Sequence, residues 1–278
     1  MRVEMEKVSM VIRGHQILNA IDAQMEDGVH VVVGKNGSGK TSILKMVSGI
    51  WKPTSGMIHY DGSRHVPHAT LGYLIDPPSF YETFTAAEML HYYVNMAGKR
   101  WDAKYYENHL KKWSVPAGKI KTFSRGQRQR LGIVCSYWHD PSLWLLDEPF
   151  TGLDRSGASF LWDTIFQQVK ATGCTVIVVL HDGHGLPADV KQVIEVQQAN
   201  LTFQGKANEF FAHSLQKVNG MVPLHWQPVL DAHAISFSYR EGKLQLLSAL
   251  DDPVLADALL EAKLNPLTLM EEERNVEV

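Results

Sequence analysis

The chain has 278 residues, of which 45% are hydrophobic and 21% charged, and this balance excludes a disordered or fibrous protein. Lys and Arg number 27 against 30 for Asp and Glu, and the net charge of -3 argues against a protein that holds nucleic acid through its charge. The two cysteines, Cys135 and Cys174, lack metal-ligand spacing and predict a reduced, cytosolic chain.

Strand-like and helical stretches alternate in the first part of the chain, which favours an α/β fold. Residues 1–25 predict short β-hairpin segments with a turn at residues 13–16. An apolar strand is predicted at residues 30–33, and a helix with one apolar face at residues 42–50. Residues 57–60 predict another strand.

The middle of the chain begins with helices and returns to strands. Residues 85–138 are rich in helical patterns and aromatic side chains. Two apolar strands follow at residues 143–146 and 175–180, and a helix is predicted between them over about residues 157–170. We therefore expect a domain over residues 1–220, with a helical insert at about residues 77–140.

A small α+β appendage is predicted over residues 221–278. A strand at residues 234–239, a turn and a returning strand at residues 243–247 precede a helix at residues 253–262. The charged residues 271–278 are expected to fray. This segment carries no phosphate-binding or acid–base motif, so we expect it to bind a partner or to support the dimer.

Residues 34–41, GKNGSGKT, match the full GxxxxGK[ST] pattern of a phosphate-binding P-loop. The match follows an apolar strand and opens a helix, which is the context that the motif requires. Glycines let backbone N–H groups turn towards phosphates, Lys40 is placed to reach the β- and γ-phosphates, and Thr41 to ligate Mg²⁺. The residues predicted to bind the nucleotide here are Gly34, Lys35, Asn36, Gly37, Ser38, Gly39, Lys40, Thr41 and Ser42.

Two carboxylates, Asp147 and Glu148, follow the apolar strand at residues 143–146. Ligands of open α/β sheets lie at the carboxyl ends of the strands, so the pair is expected beside the phosphate site. Asp147 suits a Mg²⁺ ligand, held directly or through water, and Glu148 is left as the general base that activates a water. The alternative is that both residues only cap the turn after the strand.

A third motif separates the families of P-loop proteins. Residues 123–127, FSRGQ, lie before a helical stretch and resemble the LSGGQ signature of ABC-type ATPases, the nucleotide-binding subunits of ATP-binding-cassette transporters. The matching residues are Ser124, Gly126 and Gln127, whereas Phe123 and Arg125 replace Leu and Gly. Residues 151–154, TGLD, resemble the D-loop of that family, and His181 resembles its switch histidine. The resemblance covers about residues 1–215.

The resemblance implies a P-loop NTPase core with a RecA-like mixed sheet, an N-terminal antiparallel β subdomain and a helical subdomain that carries the signature. Two subunits are expected to dock head to tail around two ATP molecules, so that Ser124 and Gly126 of one contact the γ-phosphate held by Lys40 of the other. Gln127 and Asp154 complete the residues expected at the nucleotide. His181 would help Glu148 to position the attacking water, and hydrolysis would release the dimer.

Two positions depart from the family pattern. The adenine-stacking aromatic aligns with Ile12, which has no π-face, so apolar contact or a neighbour such as Arg13 or His15 must hold the base. Discrimination between ATP and GTP is therefore expected to be slack. The glutamine of the Q-loop aligns with Asp76, which could ligate Mg²⁺ or cap the turn before Pro77. An acidic residue here resembles the branch that exports peptide antibiotics such as bacitracin or lantibiotics.

The resemblance implies the ATPase subunit of a multi-chain transporter, with export favoured. A separately encoded membrane permease is implied because the apolar run at residues 176–180 is far below the roughly 18 residues of a spanning helix. The chain is then expected in the cytoplasm, peripheral to the inner face of the membrane, with a second ATPase subunit in a homo- or heterodimer. The aromatic residues 80–84 lie where the membrane coupling helix docks, unless they only pack the helical insert.

Two other functions share some of these motifs. A soluble ABC ATPase of translation or DNA maintenance would carry the same signature. The translation type has two cassettes in one chain, however, the DNA type has long coiled coils, and this chain lacks a basic stripe for nucleic acid. A P-loop kinase leaves the signature and His181 unexplained. We therefore expect ATP and Mg²⁺ as ligands and no nucleic acid partner.

Overall fold

A computed structural model of the chain describes residues 1–181 and 186–217, together with residues 221–222, 226–232, 235, 237–240 and 243–246. The strands in these residues are β1 (Val3–Ile12), β2 (His15–Met25), β3 (Gly28–Val33), β4 (Ser55–Tyr60), β5 (Leu71–Leu74), β6 (Leu143–Asp147), β7 (Thr175–Leu180), β8 (Gln192–Gln197), β9 (Asn200–Gly205), β10 (Met221–Val222), β11 (Phe237–Arg240) and β12 (Lys243–Leu246). The helices are α1 (Lys40–Val47), α2 (Ala86–Met96), α3 (Ala103–Lys112), α4 (Arg125–Tyr137), α5 (Arg155–Thr172), α6 (Ala207–Lys217) and α7 (Gln227–Ala232).

A six-stranded mixed sheet, in the order β5-β6-β7-β3-β8-β9, forms the centre of the fold. Its first five strands pair in parallel, and β9 is antiparallel to β8. The valine-rich strands β3 and β7 are buried almost throughout, as expected of parallel strands covered on both faces. Because parallel strands end at one edge, the P-loop after β3 and the acidic pair after β6 meet there.

The predicted N-terminal hairpin is confirmed. Strand β1 pairs with β2 on one side and with β4 on the other, in a separate antiparallel sheet. Ile12 pairs with His15, and the two residues between them, Arg13 and Gly14, have φ values of 50° and 81°. Two successive residues with positive φ form the turn that matches the twist of a hairpin.

Helices α2, α3 and α4 form the predicted helical insert and pack on one face of the central sheet. Two of these helices begin with a capping box, at Thr85 with Glu88 and at Ser124 with Gln127. Buried aromatic side chains with satisfied polar atoms join the insert to the sheet; for example, the Trp144 Nε1 donates to the Ser136 Oγ at 2.9 Å. In the described part of the chain, none of the helices combines the length and the apolar character that a membrane span requires.

Some elements were not predicted. Strands β5, β8 and β9 and helix α6 are present, and β9 shows only alternating half-buried positions, which weakens its hydrophobic pattern. In the appendage, β11 overlaps the strand predicted at residues 234–239 and ends one residue later, β12 lies within the strand predicted at residues 243–247, and the two pair with each other, while β10 joins β12. The predicted helix at residues 253–262 lies outside the described residues. The boundary near residue 220 stays a prediction.

Candidate functional site

The P-loop is held tightly between the end of β3 and the start of α1. A Cβ on Gly34 would lie 2.2 Å from the carbonyl oxygen of Val196, so only glycine fits against β8 there. Gly39, with a φ of 106°, turns the chain into α1. Lys40 is buried, and its Nζ donates to the carbonyl oxygens of Gly34 at 2.5 Å and Lys35 at 3.1 Å. Burial lowers the pKa of Lys40, and the negative charges of Glu148 and Asp147 oppose that fall. An anionic ligand beside Lys40 would favour the charged ammonium in the same way.

A cavity of about 280 Å³ opens beside this loop. Its lining residues are Ile17, Asn36, Gly37, Gly39, Lys40, Thr41, Ser42 and Glu148. The apolar wall is therefore supplied by Ile17, whereas Ile12 lies at the end of β1 with 37% of its surface exposed. Ile17 was not predicted, because its place at the cavity depends on the passage of β2 over the P-loop.

Asp147 ends β6 next to the first turn of α1. Its side chain is buried, and its Oδ1 accepts a hydrogen bond from the Thr41 Oγ1 at 3.2 Å. Burial raises the pKa of Asp147, and the hydrogen bond from Thr41 opposes that rise. The two side chains present hard oxygen atoms side by side, which is the donor chemistry that Mg²⁺ prefers.

Glu148 follows directly, in the left-handed backbone region with a φ of 45°. Few non-glycine residues adopt this conformation, and those that do concentrate at functional sites. Its backbone N–H donates to the carbonyl oxygen of Val179 on β7 at 3.1 Å. Burial raises the pKa of the Glu148 carboxyl, while the positive charge of Lys40 and the nearby His181 hold it lower. Lys40 and Glu148 thus line one cavity, and the charge of His181 reaches Glu148.

Asp76 lies near this group. Its negative charge adds to the burial that raises the pKa of both Asp147 and Glu148. In the part of the chain that the structure describes, however, no three His, Cys, Asp or Glu side chains are arranged to hold a metal ion. A metal-binding role for Asp76 therefore stays a prediction.

The signature residues do not line the cavity. Ser124 caps α4: its Oγ accepts from the backbone N–H of Gln127 at 3.3 Å, and the Gln127 Oε1 accepts from the backbone N–H of Ser124 at 2.8 Å. Gly126 lies against the D-loop, where a Cβ would be 2.5 Å from the carbonyl oxygen of Gly152. Asp154 caps α5 through the backbone N–H of Gly157 at 3.0 Å. These residues form a second surface patch, apart from the P-loop cavity.

A buried glutamine that the sequence analysis missed connects the two regions. Gln129, on α4, donates through its Nε2 to the carbonyl oxygen of Pro149 at 3.0 Å and to that of Glu148 at 3.4 Å. No short-range signal in the sequence marks this contact, because it joins residues 20 positions apart. The signature helix is therefore tied to the backbone of the acidic pair.

Comparisons with known proteins indicate the family of the chain. A family model described as ABC transporter matches residues 18–151. YdbJ of Bacillus subtilis, named as an uncharacterized ABC transporter ATP-binding protein, is 32% identical over 187 residues, which cover 64% of this chain and 61% of YdbJ. This chain thus spans less than two thirds of YdbJ. A putative ABC transporter ATP-binding protein of Pyrococcus furiosus is 30% identical over 220 residues, 73% of this chain and 83% of that protein.

A lantibiotic transport ATP-binding protein of Streptococcus pyogenes, SrtF, is 31% identical over 169 residues, 59% of this chain and 73% of SrtF. The ABC transporter cassette MJ0796, solved as a dimer, has a TM-score of 0.66 at 20% identity, covering 73% of this chain and 98% of that chain. MJ0796 was also solved in a post-hydrolysis state bound to ADP and Pi. The motifs, the fold and these relatives show that the chain belongs to the ATP-binding proteins of ABC transporters, a family of ATPases.

Proposed function

We propose that two copies of this chain bind Mg²⁺-ATP between them, hydrolyse it and thereby drive a membrane exporter. One observation carries this proposal. The cavity that holds Lys40, Thr41 and Glu148 contains none of the signature residues, although both groups are present in the same chain. A second copy can supply the signature, and two copies then complete two sites.

The phosphate contacts follow from the P-loop. The Lys40 ammonium, now bonded to two loop carbonyl oxygens, would turn to the β- and γ-phosphates, where it gains a charge-assisted hydrogen bond. The N-terminal backbone N–H groups of α1 and the dipole of that helix favour the same anion. Thr41 and Asp147 would hold Mg²⁺, which supplies positive charge to the phosphate oxygens when bound.

Glu148 would remove a proton from the attacking water. A general base works best when its pKa approaches the working pH, and burial moves the Glu148 pKa in that direction. The charge of His181 lowers the pKa of Glu148, which supports a role for His181 in orienting the same water. Catalysis in this scheme is mainly positioning and electrostatic stabilisation, as in other P-loop enzymes.

The signature of the second copy would close the site. The N-terminus of α4 offers its free backbone N–H groups and its positive dipole end to the γ-phosphate. The Ser124 Oγ accepts from the backbone N–H of Gln127, so its hydroxyl proton is left to donate to a phosphate oxygen. Loss of the γ-phosphate on hydrolysis would remove these shared contacts, so the two copies would separate and transmit movement to a partner.

The partner would be a separate membrane permease, with the chain peripheral to the cytoplasmic face. The aromatic stretch at residues 80–84 supports a docking surface, because Tyr81 is 54% exposed while Phe80 and Phe84 pack against the core. The bidentate contact of Arg128 with Glu82, at 2.6 and 2.8 Å, ties this stretch to the signature helix. The lantibiotic transport relative and Asp76 both support export of a peptide.

The Glu148→Gln variant tests this function. Glutamine keeps the shape of the side chain but takes no proton, so turnover should fall by roughly 10²- to 10⁴-fold. Light scattering with Mg²⁺-ATP should then give a particle of twice the 31.3 kDa chain. Glu107→Gln, an exposed glutamate on α3, serves as the control and should behave as wild type. Undiminished turnover in Glu148→Gln would remove Glu148 from the mechanism.

A further inference from the structure

Tyr73 shares a face of the central sheet with Asp147. In the parallel pairing of β5 with β6, Tyr73 lies beside Leu145, two residues before Asp147. Both Tyr73 and Leu145 pack in the cluster that covers α1. Because side chains alternate along a strand, Asp147 points to that side as well, and its contact with Thr41 on α1 agrees.

The hydroxyl of Tyr73 is buried without a hydrogen-bond partner among the described residues. An unpaired buried hydroxyl destabilises the folded state, so it is uncommon in native proteins. Tyr60, on the neighbouring sheet, shows the ordinary solution: its hydroxyl is buried but donates to the carbonyl oxygen of Val47 at 2.7 Å. Packing alone therefore does not explain why a tyrosine, rather than a phenylalanine, occupies position 73.

Asp147 is the acceptor that the surroundings offer. Its negative charge reaches Tyr73, since it adds to the burial that raises the pKa of the phenol. The Tyr73 phenol thus keeps its proton near neutral pH, and towards a carboxylate it acts as the hydrogen-bond donor. Within the described residues the Asp147 side chain accepts one hydrogen bond, from Thr41, which leaves capacity for a second donor.

We propose that the Tyr73 hydroxyl donates a hydrogen bond to the Asp147 carboxylate when Mg²⁺-nucleotide is bound, and so fixes the orientation in which Asp147 meets the metal. This inference rests on the proposed function, because it takes Asp147 as a metal-holding residue. Tyr73 is a positioning residue, since it acts through Asp147. The buried hydroxyl of Tyr73 is then a group that the loaded site uses.

The experiment compares Tyr73→Phe with Tyr60→Phe, two changes that each remove one buried hydroxyl beside α1. Nucleotide binding is measured against Mg²⁺ concentration and again in EDTA, and the melting temperature is measured without nucleotide. Tyr73→Phe should raise the Mg²⁺ concentration for half-maximal binding about tenfold, the loss expected for a hydrogen bond to a charged group. Binding in EDTA should stay as in wild type.

The melting temperatures should move in opposite directions. Tyr73→Phe removes an unpaired hydroxyl and should raise the melting temperature by roughly 2–4 °C, whereas Tyr60→Phe breaks a bond and should lower it. Tyr60→Phe should leave the Mg²⁺ dependence unchanged. A wild-type Mg²⁺ dependence in Tyr73→Phe, or a lowered melting temperature, would overturn the proposal.

An Asp147→Asn arm separates this inference from the proposed function. If Asp147→Asn weakens Mg²⁺-dependent binding and Tyr73→Phe does not, only the role of Tyr73 fails. If Asp147→Asn also has no effect, the metal role of Asp147 fails and the proposed function with it. In the Asp147→Asn background, adding Tyr73→Phe should cause no further rise in the Mg²⁺ requirement, because the two residues act as one unit.

Discussion

Replacing Gly126 by alanine should separate the signature helix from the D-loop. A Cβ at this position would lie 2.5 Å from the carbonyl oxygen of Gly152, where ordinary contacts begin at 3.4 Å. The D-loop must therefore retreat by about 0.9 Å, which is the difference of those two distances. Both neighbours are backbone, so no side-chain rotation can relieve the overlap.

The expected cost is about 1–3 kcal/mol, as for other overpacked sites. Alanine is the better helix former by about 1 kcal/mol, so part of this loss is offset. A net fall of 1 kcal/mol corresponds to roughly 2–4 °C in the melting temperature of a chain of this size. Since the displaced loop lies beside the signature, ATP-driven dimerisation should fall more than nucleotide binding to the P-loop.

Thermal unfolding and light scattering measure these two effects. Gly118→Ala is the matched control, because its Cβ would meet its nearest neighbour, the Thr122 Oγ1, at an ordinary 3.7 Å. That control should be as stable as wild type or slightly more stable. If Gly126→Ala melts at the wild-type temperature or above and still dimerises with ATP, the close packing of signature and D-loop does not constrain the protein.

Three further outcomes are expected. Asp147→Asn should be more stable than wild type near neutral pH. Burial raises the pKa of Asp147 in the folded state, so wild-type stability is lost as the pH rises from 3.8 through the folded-state pKa, whereas asparagine does not titrate. A melting-temperature difference between the two proteins that does not grow from about pH 4 to pH 7 would contradict this. Glu148 stops acting as a base when it is protonated, and its pKa is raised above the ordinary glutamate value of 4.5. The rate of ATP hydrolysis should therefore fall on acidification at a pH above 4.5, and a fall only at or below pH 4.5 would contradict this. Asp76→Gln should raise the Mg²⁺ concentration for half-maximal hydrolysis, and superimposable metal titrations would leave Asp76 as a turn residue.

Local sequence predicted the parts of the fold whose signals are short-range. The P-loop that opens α1 and the hairpin turn at Arg13 and Gly14 depend on neighbouring residues, and the structure shows both elements. Strand β5 has only four residues, so its hydrophobic alternation is too brief to distinguish from a loop.

The contacts between distant segments could not be predicted in this way. Ile17 reaches the cavity only because β2 passes over the P-loop, where a Cβ on Gly39 would lie 2.8 Å from the Ile17 carbonyl oxygen. Gln129 and Tyr73 likewise depend on residues of other elements, Pro149 in the turn after β6 and Asp147 at the end of β6. Sequence spacing specifies which side chains share a face, but only tertiary packing specifies which faces meet.

A mixing experiment tests most directly the central claim that each site is shared by two copies. Lys40→Met removes the phosphate-binding ammonium, and Ser124→Asp keeps the helix cap but places a negative charge against the γ-phosphate. Each variant alone should lack ATPase activity. In an equal mixture, half of the dimers contain one copy of each variant. One of the two sites in such a dimer combines the intact P-loop of Ser124→Asp with the intact signature of Lys40→Met, so activity should recover to about a quarter of wild type. A mixture that stays as inactive as the separate variants at every ratio would contradict the account.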